Sequence, residues 1–198
     1  MSLPAASTTI LDHSLGQASS SALVRAGLVA LGVAVTAGSA QFTLPLPMTD
    51  VPFTFTPLAV MLTGAALGSR LGAMTQALYL ALGAAGLQVF APSLGLPQGA
   101  LRLAGPTGGY LLAYPLAAFA TGWLAERGWD RRYVTSFVSM LAGLAIIYAG
   151  GVAGRFIWLQ SWSVVVATSV TPFLVADLLK AAAAAMILPQ AWRLIGRH

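Results

Sequence analysis

Residues 133–156 read YVTSFVSMLAGLAIIYAGGVAGRF, and this stretch decides the fold class. It contains no charged residue before Arg155. A helix needs about 20 consecutive, predominantly apolar residues to cross the hydrocarbon core of a bilayer, and this segment is long enough. The sequence therefore predicts a membrane-spanning helix here.

The composition of the whole chain agrees with that prediction. Of its 198 residues, 58% are hydrophobic and only 8% are charged, and the mean hydropathy is +0.81. Soluble domains carry about 25% charged residues, so the composition argues against a water-soluble fold. The chain has no cysteine, which rules out disulfides, thiolate metal ligands and thiol catalysis.

Apolar segments alternate with short breaks on both sides of residues 133–156, and the breaks contain Gly, Pro or charged residues. We predict an all-α integral membrane protein with six transmembrane helices, near residues 21–41, 55–68, 71–89, 107–126, 133–156 and 171–192. Residues 21–192 form one membrane domain, between a flexible N-terminal tail (1–20) and a cytoplasmic C-terminal tail (193–198). Residues 42–54 and 90–106 are too apolar for exposed loops and too rich in Pro and Gly for helices. Such backbone is expected to be buried by protein or to line a cavity.

The arginines predict the orientation, because positive charge in short loops marks the cytoplasmic side. With six spans both termini share one side. That side collects Arg25, Arg70, Arg127, Arg131, Arg132, Arg193 and Arg197. The opposite side has only Arg102 and Arg155, so both termini are predicted to be cytoplasmic. Topology also explains the net charge of +5, and no nucleic-acid partner is expected.

The most informative polar residues are Asp177 and Lys180, which follow Thr171 and Pro172 in the sixth segment. Thr171 is predicted to be the N-cap of this helix and Pro172 its first residue. The i, i+3 spacing puts the acid and the base on one face, in the outer half of the membrane. A charged residue at the centre of a membrane helix costs about 2.5–3.5 kcal/mol on insertion, so such residues face a partner or a cavity. The pair is therefore either a structural ion pair or part of a ligand site.

A second candidate cluster, Arg102 to Tyr110 (RLAGPTGGY), lies on the same outer side. Thr107 is predicted to cap the fourth helix, whose free N–H groups favour a negatively charged ligand. Gly108 and Gly109 allow either a ligand or another helix to approach the backbone. Arg102 is either an interfacial residue or a ligand contact. Tyr110 taken alone is more typical of an interface or a core.

The first helix carries small residues at a strict spacing of four. They are Ala22, Ala26, Ala30, Ala34 and Gly38, and we call them the small-residue stripe. Such a stripe lets another helix approach closely. The partner is either a helix of this chain or a second membrane protein.

Several catalytic and energising motifs are absent. The sequence has no Gly-x-x-x-x-Gly-Lys-Ser/Thr motif for nucleotide phosphates, so the chain is not expected to drive transport with ATP by itself. Its two histidines, His13 and His198, lie in the predicted tails, and no metal site is predicted. We expect a protein that is not an enzyme.

Four motifs together resemble one known family. They are Val51–Phe55 (VPFTF), Gly86–Phe90 (GLQVF), Gly105–Leu111 (GPTGGYL), and Pro172–Phe173 with Asp177–Lys180 (DLLK). In this order and at these distances they resemble the BioY family, the biotin-specific S components of energy-coupling factor (ECF) transporters. The resemblance covers about residues 21–192.

The resemblance implies a six-helix S component in the plasma (inner) membrane of a bacterium. It would bind biotin from the outer side, need no cofactor, and dock on a transmembrane coupling protein with two ATPase subunits. The small-residue stripe would face the coupling protein. An S component for another vitamin, such as thiamine or riboflavin, and a membrane adaptor without transport activity are the alternatives.

The chemistry of biotin suggests roles for the matching residues. Its ureido N–H groups suit Asp177, its thioether ring suits apolar walls such as Phe53 and Phe90, and its carboxylate suits Lys180 or Arg102. The segment from Pro92 to Gly99 replaces the glycine-rich loop of the family. Gln98 is the candidate for a polar contact from that loop.

Overall fold

The computed structural model describes residues 9–16, 21–93 and 95–195. Its helices are α1 (Ile10–Leu15), α2 (Ala22–Gln41), α3 (Thr56–Leu67), α4 (Ser69–Ala84), α5 (Ala100–Ala104), α6 (Gly108–Ala125), α7 (Tyr133–Leu159), α8 (Trp162–Ser169) and α9 (Thr171–Ile195). A 3-10 turn at Trp129–Arg131 lies between α6 and α7. The two strands are β1 (Thr43–Leu46) and β2 (Thr49–Thr54).

The six predicted helices correspond to α2, α3, α4, α6, α7 and α9. The largest difference is the end of α4, which was predicted near residue 89 and lies at Ala84. Gly86 adopts φ +100°, and the Leu87 N–H bonds the Leu82 carbonyl at 3.1 Å. This is the hydrogen bonding of a glycine-terminated helix end, and it stops the helix despite the apolar sequence that follows.

Three helices in the described part of the chain are long and apolar enough to cross a membrane. They are α2, α7 and α9. Helix α3 has 12 residues and α4 has 16, both shorter than the roughly 17–25 residues of a full span. By length and composition, the structure thus identifies three of the six predicted spans.

Residues 43–54 form an antiparallel hairpin in a chain that was predicted to be all-α. The pairing is Thr43 with Thr54, Leu44 with Phe53, and Leu46 with Thr49. Each strand has only one neighbour, so the prolines in this segment are tolerated on edges without a pairing strand. A two-stranded hairpin is marginal alone, but Val51 and Thr54 are buried and attach it to the helices.

The helices enclose two apolar clusters that are stacked along the bundle. One cluster is built around Tyr79, Phe90, Tyr114 and Ile147, next to the hairpin. The other is built around Met61, Met140, Leu144 and Leu188. Helix α6 packs against α3, α4 and α7, and α9 packs against α7, so α6, α7 and α9 together form one wall beneath the hairpin.

The predicted N-terminal tail contains a short packed helix, α1. Its Ile10 is 8% exposed and belongs to the cluster around Met61 and Leu188. The His13 ring lies 5.5 Å from the Trp192 ring, between centroids. Helix α9 extends into the predicted C-terminal tail as far as Ile195. Residues 1–8, 17–20 and 196–198 of the two predicted tails, including Arg197, lie outside the described residues.

Candidate functional site

A cavity lies between the hairpin, the segment after α4, and helices α6, α7 and α9. The centre of a water molecule can occupy about 70 Å³ of it, which is room for several waters at about 10–15 Å³ each. Its aromatic walls include Phe53, Tyr79, Phe90, Tyr110, Tyr114 and Phe173. Three charged residues line it, namely Arg102, Asp177 and Lys180. This mixture of apolar walls and a few polar groups is typical of a small-molecule site.

Asp177 and Lys180 form an ion pair across one turn of α9, as their spacing predicts. The Lys180 Nζ to Asp177 Oδ1 distance is 2.8 Å. The Tyr148 hydroxyl donates to Asp177 Oδ2 at 2.7 Å, and Lys180 Nζ donates to the Thr54 carbonyl at 2.7 Å. Each carboxylate oxygen keeps a further lone pair for another donor.

Aromatic rings of the hairpin complete the surroundings of Lys180. Its Nζ lies 3.7 Å from the centroid of the Phe53 ring and 5.3 Å from that of Phe55. Such cation–π contacts are worth more where water is excluded, and Lys180 is only 8% exposed. A buried charge without a partner would be strongly destabilising, and these contacts avoid that penalty.

Arg102 is buried on the other side of the cavity, in α5, at 2% exposure. It does not reach out to an interface, which was one of its two predicted roles. Its Nη2 donates to the Ala91 carbonyl at 2.9 Å and its Nη1 to the Pro97 carbonyl at 3.5 Å. Its Nε has no protein partner, and no acid within the described residues pairs with it. Burial lowers the pKa of the guanidinium, which nonetheless stays protonated because its ordinary pKa exceeds 12.

Thr107 lines the cavity, but the prediction that it caps the following helix is wrong. Its φ and ψ are −97° and −2°, and its side chain makes no capping hydrogen bond. This backbone is already helical, whereas a capping residue has extended geometry. Its buried hydroxyl oxygen has no hydrogen-bond partner among the described residues.

The two predicted glycines pack against protein and do not line the cavity. A Cβ on Gly108 would collide with the Leu103 carbonyl, and one on Gly109 with the Gly150 carbonyl of α7. Gly154 is also in close contact with Gly109, so small residues bring α6 and α7 together. Of the two interpretations left open by the sequence, the structure shows helix packing.

Three predicted aromatic residues do line the cavity. Tyr110 donates its hydroxyl hydrogen to the Ser169 carbonyl at 2.8 Å, and its ring lines the cavity together with Phe53 and Phe90.

Gln98, the predicted polar contact from the loop after α4, does not line the cavity. It is exposed and borders a separate cleft with Gln41 and Gln88. The structure thus brings together the predicted site residues except Gln98 and Gly108.

Sequence reasoning missed Tyr148, Tyr79 and Thr54 as residues of this site. Tyr148 lies in the middle of a predicted span, where a phenolic hydroxyl needs a hydrogen-bond partner. The need for such a partner could have identified Tyr148 as a site residue from the sequence. Thr54 contributes only a backbone carbonyl, for which residue type gives no signal.

The small-residue stripe lies on the outside of α2. All five of its members are exposed, while Gly32, Val33, Thr36 and Ala40 form the buried face of the helix. The stripe therefore does not serve packing within the described part of this chain.

Comparison with known proteins gives consistent results. Residues 13–197 match the model of the BioY family. The chain is 37% identical over 165 residues to the biotin transporter BioY of Thermotoga maritima, covering 83% of this chain and 92% of that protein. It is 39% identical over 163 residues to a protein of Pyrococcus horikoshii named as a probable biotin transporter BioY, covering 81% and 91%.

A solved structure has the same fold. It is the crystal structure, at 2.1 Å, of the S-component for biotin from an ECF-type ABC transporter, with a TM-score of 0.77 and 20% identity. The match covers 86% of this chain and 92% of that one. The match to the family model over most of the chain, and the two relatives of similar length, show that this protein belongs to the BioY family.

Proposed function

We propose that this chain is a biotin-binding S component that captures biotin in the cavity between the hairpin and α6, α7 and α9. The main support for biotin as the ligand is the charge of the residues that line the cavity. Arg102, Asp177 and Lys180 line it, and two cations with one acid leave a formal charge of +1. Biotin carries one carboxylate, which would neutralise the occupied site. Thiamine is a cation and riboflavin is neutral, so neither balances this charge.

The two ends of biotin are assigned to different charged residues. Lys180 is already neutralised by Asp177 at 2.8 Å, whereas Arg102 has no acidic partner within the described residues. A guanidinium forms strong charge-assisted bonds with a carboxylate, so the valerate carboxylate is assigned to Arg102. The ureido N–H groups are assigned to Asp177, whose oxygens can accept further hydrogen bonds. Phe53 and Phe90 supply the apolar walls for the thioether ring.

The proposal includes six spans with both termini in the cytoplasm. Two contacts that join distant segments support this orientation: the Arg131 guanidinium lies 4.7 Å from the Trp192 ring centroid, and that of Arg193 lies 5.3 Å from the Tyr133 ring centroid. They gather predicted cytoplasmic arginines at one end of the bundle, while Arg102 lines the cavity near the other end. Arginine is enriched on the cytoplasmic side of membrane proteins, and clustering of these arginines at one end supports a cytoplasmic location for that end.

Energy for uptake would come from other subunits, since the chain has no nucleotide-binding motif. We propose that the small-residue stripe of α2 docks on a transmembrane coupling protein that carries two ATPase subunits. Its exposure supports this proposal, because close packing of helices in a bilayer favours small residues. The assembly would lie in the plasma (inner) membrane.

Calorimetric titration of the purified chain with biotin, thiamine and riboflavin tests the proposed ligand. We expect heat of binding from biotin alone. Binding of another vitamin without biotin would make the chain an S component of different specificity. The absence of binding to all three would favour the membrane adaptor.

A further inference from the structure

A second groove lies between the start of α4 and the end of α6, and it shares no residue with the biotin cavity. It is lined by Ser69, Arg70, Phe119, Trp123, Glu126 and Arg127. Nothing in the proposed transport function uses these side chains. Its two arginines belong to the set that predicts the cytoplasmic side.

The groove presents available cationic groups. Arg70 is exposed and forms no hydrogen bond or ion pair among the described residues. Arg127 stacks at 3.4 Å over the Trp123 ring centroid and donates one hydrogen bond, from Nη1 to the Trp123 carbonyl at 2.8 Å. A guanidinium has five N–H donors, so most of those on Arg127 are open to a ligand.

The one acid in the groove is already engaged. Glu126 Oε1 accepts hydrogen bonds from the backbone N–H of Ser69 at 2.7 Å and from its hydroxyl at 2.8 Å. These bonds hold the end of α6 to the start of α4. Two arginines against this single carboxylate leave the groove with a net positive charge.

Exposed apolar side chains continue from the groove along both helices. On α6, Leu112, Leu116, Phe119 and Trp123 are 57%, 60%, 41% and 42% exposed. Their spacing of four, three and four residues places them on one face. On α4, Met74 and Leu78 are 59% and 41% exposed and follow Arg70 at intervals of four. An apolar track with two walls thus begins at the two arginines.

We propose that this groove binds an anionic phospholipid, with its phosphate at Arg70 and Arg127 and an acyl chain along the exposed apolar side chains of α4 and α6. Basic pockets between membrane helices on the cytoplasmic side suit anionic head groups. Trp123 lies in the groove with both arginines, and amphipathic rings of this kind favour the interface between head groups and acyl chains. The two arginines would therefore contact the phosphate of the lipid, and the apolar side chains that follow them would contact its acyl chain.

Native mass spectrometry of the purified chain in detergent tests this site, with phosphatidylglycerol and phosphatidylcholine of the same acyl chains as probes. We expect phosphatidylglycerol to bind several-fold more tightly. Arg70→Gln with Arg127→Gln should weaken phosphatidylglycerol binding by about fivefold for each arginine removed, while biotin binding is retained as a check of folding. Arg70→Lys with Arg127→Lys should keep most of the selectivity.

The matched control is Arg132→Gln with Arg193→Gln, which removes the same charge from exposed positions outside the groove. This control should leave phosphatidylglycerol binding within about twofold of the wild type. An equal loss in the control would mean general surface attraction, and equal binding of both lipids would mean no head-group site. Complete displacement of the lipid by soluble glycerol phosphate would indicate a phosphate site without an acyl track. Each of these results would overturn the proposal.

Discussion

The ammonium group of Lys180 on α9 donates a 2.7 Å hydrogen bond to the carbonyl of Thr54 at the end of β2, 126 residues away in the sequence. This bond fastens the hairpin over the cavity. The same ammonium group pairs with Asp177, which in turn accepts from Tyr148 of α7. One polar network therefore connects β2, α7 and α9 around the proposed ligand.

Tyr148→Phe should weaken biotin binding by about fivefold to tenfold, because a hydrogen bond that orients the Asp177 carboxylate is lost. Hydrogen bonds to charged groups contribute about 1.5–3 kcal/mol. Only part of this energy is expected to be lost from the free energy of biotin binding, because Tyr148 acts through Asp177. Calorimetry of the purified variant measures the effect. Tyr133→Phe is the matched control, since that tyrosine is 40% exposed at the start of α7 and should bind biotin normally. Equal affinities of the two variants would contradict a role for Tyr148.

Arg102→Gln should weaken binding of biotin by about tenfold or more, in line with the loss of a charge-assisted bond to the carboxylate. Biotin amide, which lacks the negative charge, should bind the variant and the wild type almost equally. The comparison of biotin with biotin amide distinguishes two effects of the substitution. Loss of the contact with the carboxylate weakens only biotin, whereas a disturbed loop around Ala91 and Pro97 weakens both ligands. A similar loss for both ligands would show that Arg102 acts only by holding that loop.

Much of the fold could be predicted because long apolar segments and their breaks are local properties of the sequence. The start of the last helix near Thr171 and the pairing of Asp177 with Lys180 follow from local spacing. Thr171 is not the predicted N-cap, because it is already helical and its hydroxyl donates to the Val166 carbonyl at 3.2 Å. The hairpin and α8 could not be predicted, because short segments depend on tertiary contacts such as that between Lys180 and Thr54.

The predicted cap at Thr107 failed for a different, local reason. The Gly108 N–H bonds the Gly105 carbonyl at 2.9 Å, and this turn places the Thr107 backbone in helical geometry.

Ala34→Leu should leave biotin binding unchanged and reduce biotin uptake severalfold in cells that also produce the coupling module. The larger side chain would keep a partner helix from approaching the small-residue stripe. Ala145→Leu provides a matched control, because Ala145 is exposed on α7 away from the stripe. Loss of biotin binding in purified Ala34→Leu would contradict the separation of docking from ligand capture.

Asp130→Asn tests a buried acid at the end of the bundle that we propose to be cytoplasmic. Asp130 is 1% exposed, and its Oδ2 accepts a hydrogen bond from Trp192 Nε1 at 2.6 Å. Burial raises the pKa of this carboxyl above its ordinary value of 3.8, so its contribution to stability is greatest below that value and is lost as pH rises through the raised pKa.

The stability of Asp130→Asn relative to the wild type should therefore increase between pH 4 and pH 7, since the amide does not ionise. Thermal unfolding of both proteins in the same detergent measures this difference, and other titrating groups cancel in the comparison. A difference that stays constant over this pH range would mean that the carboxyl is not perturbed by burial.

The site was predicted less completely than the fold, and the residues show why. Asp177, Lys180 and Arg102 stand out because charge is rare in this chain. Tyr148 and Tyr79 do not, because tyrosine is common in membrane helices. The hydroxyl of Tyr148 donates to Asp177 on another helix, and that of Tyr79 donates to the Val89 carbonyl in the segment after α4. Gln98 was placed by loop position alone, and the path of the loop after α4 carries it into a separate cleft.

Calorimetric titration of the purified chain with biotin, without partner subunits and beside Asp177→Asn, tests the central claim most directly. We predict one biotin bound per wild-type chain. Binding to Asp177→Asn should be weaker by about one to several kcal/mol, which is about fivefold or more, because a charge-assisted hydrogen bond is lost. Equal affinity in a folded variant, or no biotin binding to the wild type, would contradict the account.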